Sequence, residues 1–367
     1  MKYRRMPIEI ESPEERGYGN LRCNLTESSV RDVRFGDLGI DLDELVLAYG
    51  DHRGDPLLRD LIAAQYPGCS ADDVVVTPGA AGALFFLASS LLEPGDHLVV
   101  ARTNYATNLE TPRLIGADIS SLELRFDEAF ALDLERLAAL VRSDTKLISI
   151  TYPHNPTGAM TDRATLDAVV ALAESAGAWL LVDETYRDMT IGEPLSPVAS
   201  LTARGISVCS LSKSFGLPGI RTGWAVTRDA ELAATLLAAK EQIVITGSGL
   251  DEAVAANVLG RRDELLGPIL AGIADHRGIV ADWMADQRLI EWVPPGGGVV
   301  CFPRLDLSVD VDRFYDHLNG VGGTFVGEGH WFEEDRRYFR LGFGWPTTDE
   351  LRSGLAAITA ATAASVG

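Results

Sequence analysis

Short apolar runs recur along the first two thirds of this chain, and each ends in polar or turn-forming residues. Residues 73–77 (DVVVT), 97–101 (HLVVA), 146–152 (KLISITY), 178–183 (AWLLVD), 206–211 and 223–227 have the length and β-branched content of buried strands. Helical spacing lies between them. An apolar helix is expected over 80–92 after a Gly/Ala turn, a second over 107–115, and a third over 161–176 with Thr161 or Asp162 as its cap. Strands alternating with helices predict an α/β fold, a mostly parallel sheet with helices on both faces. Residues 1–45 show no such alternation and are rich in charge and turn formers. Residues 230–284 read as helical with a loop near 246–249. After Pro294-Pro295-Gly296-Gly297-Gly298 come an apolar strand (299–302), a helix near 311–319, a strand (338–343) and an Ala-rich last helix. The expected organisation is an N-terminal segment (1–45) packed on the small domain and active site, a large domain (46–250) and a small α+β domain (251–367).

Composition narrows the function. The chain has 367 residues, 46% apolar and 23% charged, which is ordinary for a globular protein. Its formal net charge of −21 opposes binding to nucleic acid. Cys23, Cys69, Cys209 and Cys301 lie far apart, a pattern of reduced, buried thiols expected of a cytoplasmic protein. No secretory signal is read at the start, the longest apolar stretch (83–92) is too short for a membrane span, and the six histidines lack metal-ligand spacing. Neither a nucleotide-binding glycine loop nor a GxSxG elbow is present.

Only four of the 32 basic residues are lysines: Lys2, Lys146, Lys213 and Lys240. Lys213 follows an apolar strand in Ser210-Leu211-Ser212-Lys213, where apolar surroundings would favour the neutral amine that forms a Schiff base. Arg221, eight residues on, offers a fixed fork of donors for a phosphate. Asp183 ends another strand, where a buried carboxylate needs a cation such as a protonated pyridine. Gly79-Ala80-Ala81 opens a helix whose free amides suit a phosphate. Each feature alone has a plainer reading: a helix cap for Asp183, a turn former for Asn155, close packing for the glycine, a surface loop for the lysine. In sequence they form an ordered set at strand ends, where open α/β sheets bind ligands.

With its motifs HNPTG (154–158), DETY (183–186) and SLSKSFGLPGIRTGW (210–224), the chain resembles the class I/II aminotransferases from about residue 45 onward. The resemblance implies pyridoxal 5′-phosphate (PLP) fold type I, with a mostly parallel seven-stranded sheet between helices and a smaller C-terminal domain. It implies that Lys213 holds PLP and moves the substrate's Cα proton, that Asp183 pairs with the pyridine nitrogen, and that Asn155 and Tyr186 bond the ring's phenolic oxygen. Tyr105 would stack on the ring. Ser210, Ser212, Arg221 and the amides of Gly79, Ala80 and Ala81 would hold the phosphate. Arg340 would bind the substrate α-carboxylate. Tyr49 matches a tyrosine that reaches a neighbouring subunit's phosphate, so a homodimer with shared sites is implied. The implied reaction moves an amino group between an L-amino acid and a 2-oxo acid.

Three positions depart from the family pattern. Thr103 and Glu328 stand where proline is frequent, and residues 24–29 replace a small glycine-bearing turn near the substrate. Thr26 and Glu27 in that segment could meet a basic substrate side chain, as in PLP enzymes that oxidise or cyclise arginine derivatives. The plainer reading of Glu27 is a solvated surface residue. The rival functions are therefore another PLP reaction on the same scaffold (oxidase, cyclase, lyase or decarboxylase) and a non-catalytic sensor. The acidic chain, with no DNA-binding extension, disfavours the sensor.

Overall fold

The computed structural model describes residues 3–366, and Lys2 lies outside them. The first strand, β1 (Cys23–Leu25), follows two short helices, Pro7–Ile10 and Pro13–Arg16. The main sheet is built from β2 (Val74–Pro78), β3 (His97–Arg102), β4 (Asp118–Glu123), β5 (Thr145–Thr151), β6 (Trp179–Asp183), β7 (Gly205–Ser210) and β8 (Thr222–Val226). Its order is β2-β8-β7-β6-β5-β3-β4. The strands from β7 to β4 run parallel, and β8 is antiparallel to both its neighbours. This is the mostly parallel seven-stranded sheet expected. Its central strands carry apolar runs because helices cover both faces: Val99, Ile148, Leu180 and Val182 pack into one core, and Leu98, Val100, Leu181 and Val208 into another.

The elements foreseen from the apolar runs form within a residue or two. Helix Arg163–Ala176 begins after Asp162, whose side chain accepts from the Thr165 amide, so the cap is Asp162. Several elements carried no clear signal, β4 and helix Pro56–Ala63 among them. β4 (DISSLE) is an edge strand with a mostly polar pattern. Helix Pro56–Ala63, capped by Asp55, lies between residue 45 and the first apolar run, where the pattern predicts no element. The long helical region breaks a second time at Arg261, giving helices Gly249–Gly260 and Arg262–Ala285.

Beyond the main sheet, β9 (Ile290–Glu291) pairs with β11 (Arg304–Leu305). A second sheet contains β10 (Val300–Cys301), β12 (Thr324–Glu328) and β13 (Phe339–Gly342), in the order β1-β12-β13-β10. β1 runs parallel to β12, pairing Asn24 with Phe325, so the N-terminal segment is stitched into the sheet that carries Arg340. Leu25 shares the core of that sheet with Phe314, Phe339 and Leu351. This pairing delivers residues 26–28 to the edge of the cleft.

Candidate active site

A cavity of about 370 Å³ opens at the carboxyl ends of the parallel strands, between the main sheet and the second sheet. Thr26, Glu27, Ala80, Ala81, Tyr105, Asn155, Asp183, Tyr186, Ser210, Ser212, Lys213, Arg221 and Arg340 all line it. Two expected residues do not. Gly79 lies just behind the wall, and Tyr49 stands 82% exposed away from its own chain's cavity. Of the other described lysines, Lys146 is exposed. Lys240 is not on a solvated helix face: it is wholly buried and donates to the His52 carbonyl at 2.7 Å, away from the cavity. Burial alone therefore does not single out a reactive lysine. Position at the cleft does.

The Lys213 amine has no hydrogen-bond partner among the described residues. Burial pushes its pKa down, Glu27 pulls it back up, and Arg340 lowers it again. The net lowering favours the neutral, nucleophilic amine. Across the site, Asp183 ends β6 and is buried. Its Oδ1 accepts from the Thr185 hydroxyl at 2.6 Å and the Thr185 amide at 3.1 Å, while Oδ2 takes no hydrogen bond among the described residues. Burial holds its pKa up, against the Thr185 bonds and Lys213. Neighbouring Glu184 fixes the turn. It accepts from the Val198 amide and the Ser207 hydroxyl, both at 2.8 Å, and pairs with Arg187 at 3.1 Å. A buried carboxylate with a free oxygen facing a cavity is a ready seat for a cation.

An anion cradle sits at the other end. Helix Gly79–Leu91 points its free amides into the cleft, beside Ser210, Ser212 and Arg221. Two glycines permit the approach. A Cβ on Gly79 would stand 2.5 Å from Arg221 Nη2, and one on Gly223 would stand 2.5 Å from the Ala80 nitrogen. Arg221 itself takes a left-handed φ of 40° and donates to the Pro218 carbonyl at 2.8 Å. A phosphate-bearing pyridinium fits this donor set: amides and guanidinium for the phosphate, a lone carboxylate for the ring nitrogen, an amine between them.

Arg340, on β13, is buried and donates to Asn155 Oδ1 at 3.1 Å and the Thr26 carbonyl at 2.6 Å. Its Nε is buried without a partner, a spare donor for a carboxylate. Replacing Arg340 with Ala should raise the KM for the amino-acid substrate at least ~10-fold, the worth of a charged hydrogen bond. An unchanged KM in steady-state assays removes Arg340 from the substrate site.

The acidic wall is what sequence reasoning saw least. Glu9 and Glu14, from the N-terminal segment, line the cavity together with Glu27. Glu27 is not a solvated surface residue. It accepts from the Tyr18 hydroxyl at 3.0 Å, and burial pushes its pKa up against the pull of Lys213. Trp331 also lines the cavity, and its Nε1 donates to Glu11 at 2.6 Å, tying the N-terminal segment over the cleft. Nothing in the spacing marks Glu9, Glu14 or Trp331, because chain pairing 300 residues apart brings them together. The charge density of the N-terminal segment was the one available hint.

The match to known proteins agrees with this geometry. Residues 34–358 match the model of the family "Aminotransferase class I and II". The chain belongs to that family, and PLP is its cofactor. It is 32% identical to capreomycidine synthase of Streptomyces vinaceus, over 93% of this chain and 90% of that protein. It is 30% identical to arginine–pyruvate transaminase AruH of Pseudomonas aeruginosa, over 77% of this chain and 74% of that protein. Among solved structures, the PLP-dependent cyclase OrfR superposes with a TM-score of 0.90 at 29% identity, covering 99% of this chain and 98% of that one. The chain is thus a PLP-dependent enzyme of the aminotransferase class, and transamination is one of the reactions found among its relatives. Among the described residues, no helix is long and apolar enough to cross a membrane.

Proposed function

We propose that this enzyme acts on an L-amino acid with a guanidinium-type side chain and closes that side chain into a ring. The observation that carries the substrate class is the row of three carboxylates, Glu9, Glu14 and Glu27, in the cavity that also holds Lys213 and Arg340. One arginine matches one α-carboxylate. Glu27, half-buried, and the exposed Glu9 and Glu14 would together repel an acidic side chain, whereas a cation satisfies Glu27 within the cavity. A relative that cyclises and another named for arginine support the same reading.

PLP, when bound, supplies an electron sink that makes the Cα–H and Cβ substituents of an amino acid labile. The protein does the rest. Helix Gly79–Leu91, Ser210, Ser212 and Arg221 would anchor the phosphate, Asp183 would keep the ring nitrogen protonated, and Asn155 and Tyr186 would hold the phenolic oxygen. Tyr105 would cover the ring. Arg340 fixes the α-carboxylate and with it the Cα–H direction, and Lys213 Nζ takes that proton and returns it. Ring closure breaks the bond from Cβ to a leaving group and forms one from Cβ to a guanidine nitrogen, which sheds a proton. With a hydroxyl as leaving group, the net loss is one water. The exposed Tyr49 would reach the phosphate of a second copy, and the working unit would then be a homodimer.

The second reading, amino transfer to a 2-oxo acid, is favoured by the arginine–pyruvate relative. One experiment separates the two. Purified enzyme is given arginine, β-hydroxyarginine, leucine or aspartate, each with and without pyruvate. Ring closure predicts a product from β-hydroxyarginine lighter by one water and no alanine. Transamination predicts alanine and a 2-oxo acid in equal amounts. A response to leucine or aspartate but to neither guanidino amino acid sinks the substrate class. Within the same panel, Glu27→Gln should raise the KM for the guanidino substrate about tenfold or more through loss of a charged partner. An unchanged KM takes Glu27 out of side-chain recognition.

A further inference from the structure

The turn between β12 and β13 grips the chain on both sides of Tyr105. Before Tyr105, the Thr103 hydroxyl donates to Glu334 Oε1 at 2.8 Å, and Arg102 Nη2 donates to the Glu333 carbonyl at 2.6 Å. After it, Arg113, on the helix Ala106–Ile115 that Tyr105 caps, makes a two-pronged pair with the Glu333 carboxylate, one prong at 2.9 Å. The opposite side of the same turn lines the cavity through Trp331 and packs Phe332 under the Arg340 guanidinium at 5.0 Å. Glu333 holds a φ of 60°, a left-handed conformation that favours glycine. A glutamate at such a position, with its backbone oxygen engaged by Arg102 and both carboxylate oxygens by Arg113, is held there by what it binds. Thr103, one of the departures from the family pattern, is 2% exposed, so its hydroxyl needs the partner it has.

We propose that Glu333 and Glu334 are positioning residues for Tyr105: together they fix the loop 102–105 and the following helix, and so set the tyrosine over the cofactor ring. Through the Trp331 end of the same turn, the clamp joins the ring's cover to the wall on which the substrate lies. The proposal rests on the assignment of Tyr105 to the cofactor ring and is independent of which amino acid the enzyme uses. The local bonds of Asn104, to the Tyr105 amide at 2.7 Å and to the Ala101 carbonyl at 2.9 Å, shape the loop from within. The clamp sets where that shaped loop stands.

The test reads the visible circular dichroism of the PLP-loaded enzyme, which reports the chiral surroundings of the ring, and the rate of cofactor loss on dilution. Neither needs substrate. Glu334→Ala and Thr103→Val should each weaken the dichroic band and speed cofactor loss, by roughly tenfold for a lost bond to a charged group. The double variant should be no worse than either single one, since both remove the same bond. Glu334→Gln should behave like the parent, because its amide oxygen still accepts from Thr103. Glu333→Gly removes the carboxylate while suiting the left-handed backbone, so the fold should survive while the band weakens. Tyr105→Ala sets the scale. If it alters the band and Glu334→Ala and Glu333→Gly do not, the clamp is refuted. Additive singles, or a Gln variant as damaged as the Ala variant, refute it as well. If Tyr105→Ala itself changes nothing, the assignment of Tyr105 fails first and the clamp falls with it.

Discussion

Replacing Lys213 with Ala should abolish the visible band of the bound cofactor and lower turnover by about 10⁴, the top of the range for a positioned acid–base group. Both losses come from one atom. Nζ is the cleft's only lysine amine among the described residues, so no neighbour can take over the covalent link or the proton. The fold should survive. The amine makes no hydrogen bond among the described residues, and its side chain borders a cavity of about 370 Å³, so truncation leaves neither an orphaned partner nor a sealed void. Thermal unfolding of the cofactor-free variant should therefore match that of the cofactor-free parent within a few degrees. Absorbance, unfolding and turnover measured on one preparation decide the matter. A variant that keeps the band overturns the assignment of Lys213, and one that fails to fold gives the lysine a structural task instead.

The ease of reading this chain varied with the range of the interactions involved. Strands β3, β5, β6 and β7 are covered on both faces, so each carries an apolar run that the sequence displays. The cavity residues proposed to hold the cofactor stand just after those strands, so finding the strands located Asn155, Asp183, Ser210 and Lys213. Edge strand β4 needs only one covered face and shows almost no pattern. The acidic wall of the cavity was legible least of all. Glu9, Glu14 and Trp331 reach the cavity because β1 pairs with β12, a contact across some 300 residues that no local periodicity encodes. The same pairing turns Glu27 from an exposed residue of an irregular segment into a cavity carboxylate bonded to Tyr18. The strand-end residues of the cavity are thus written in local motifs, and its acidic wall in long-range assembly. This explains why the family could be read from the sequence while the reaction had to be sought in the cleft.

Asp183→Asn should reduce turnover by roughly 10³, the order lost when one preorganised charge-stabilising group is removed. The amide keeps the shape of the carboxylate and can still accept from Thr185 through its oxygen, so the phosphate cradle and Lys213 stay in place and PLP still binds. What is lost is the negative charge that keeps the ring nitrogen protonated. The stability of the cofactor-free protein should move the other way. Burial raises the Asp183 pKa, so this carboxyl binds its proton more tightly folded than unfolded. Its contribution to stability then falls as pH rises from about 4, the unfolded value. Asn does not titrate. The variant should therefore equal the parent near pH 3 and be at least as stable at pH 7 without cofactor. Adding PLP should reverse the order, because only the parent offers the ring nitrogen a counter-charge, and ligand binding stabilises in proportion to affinity. Melting curves of both proteins with and without PLP, at two pH values, test every step. A cofactor-free variant several degrees less stable than the parent at pH 7 would mean that the carboxylate is already satisfied within the protein, and the pairing with the ring nitrogen would fall.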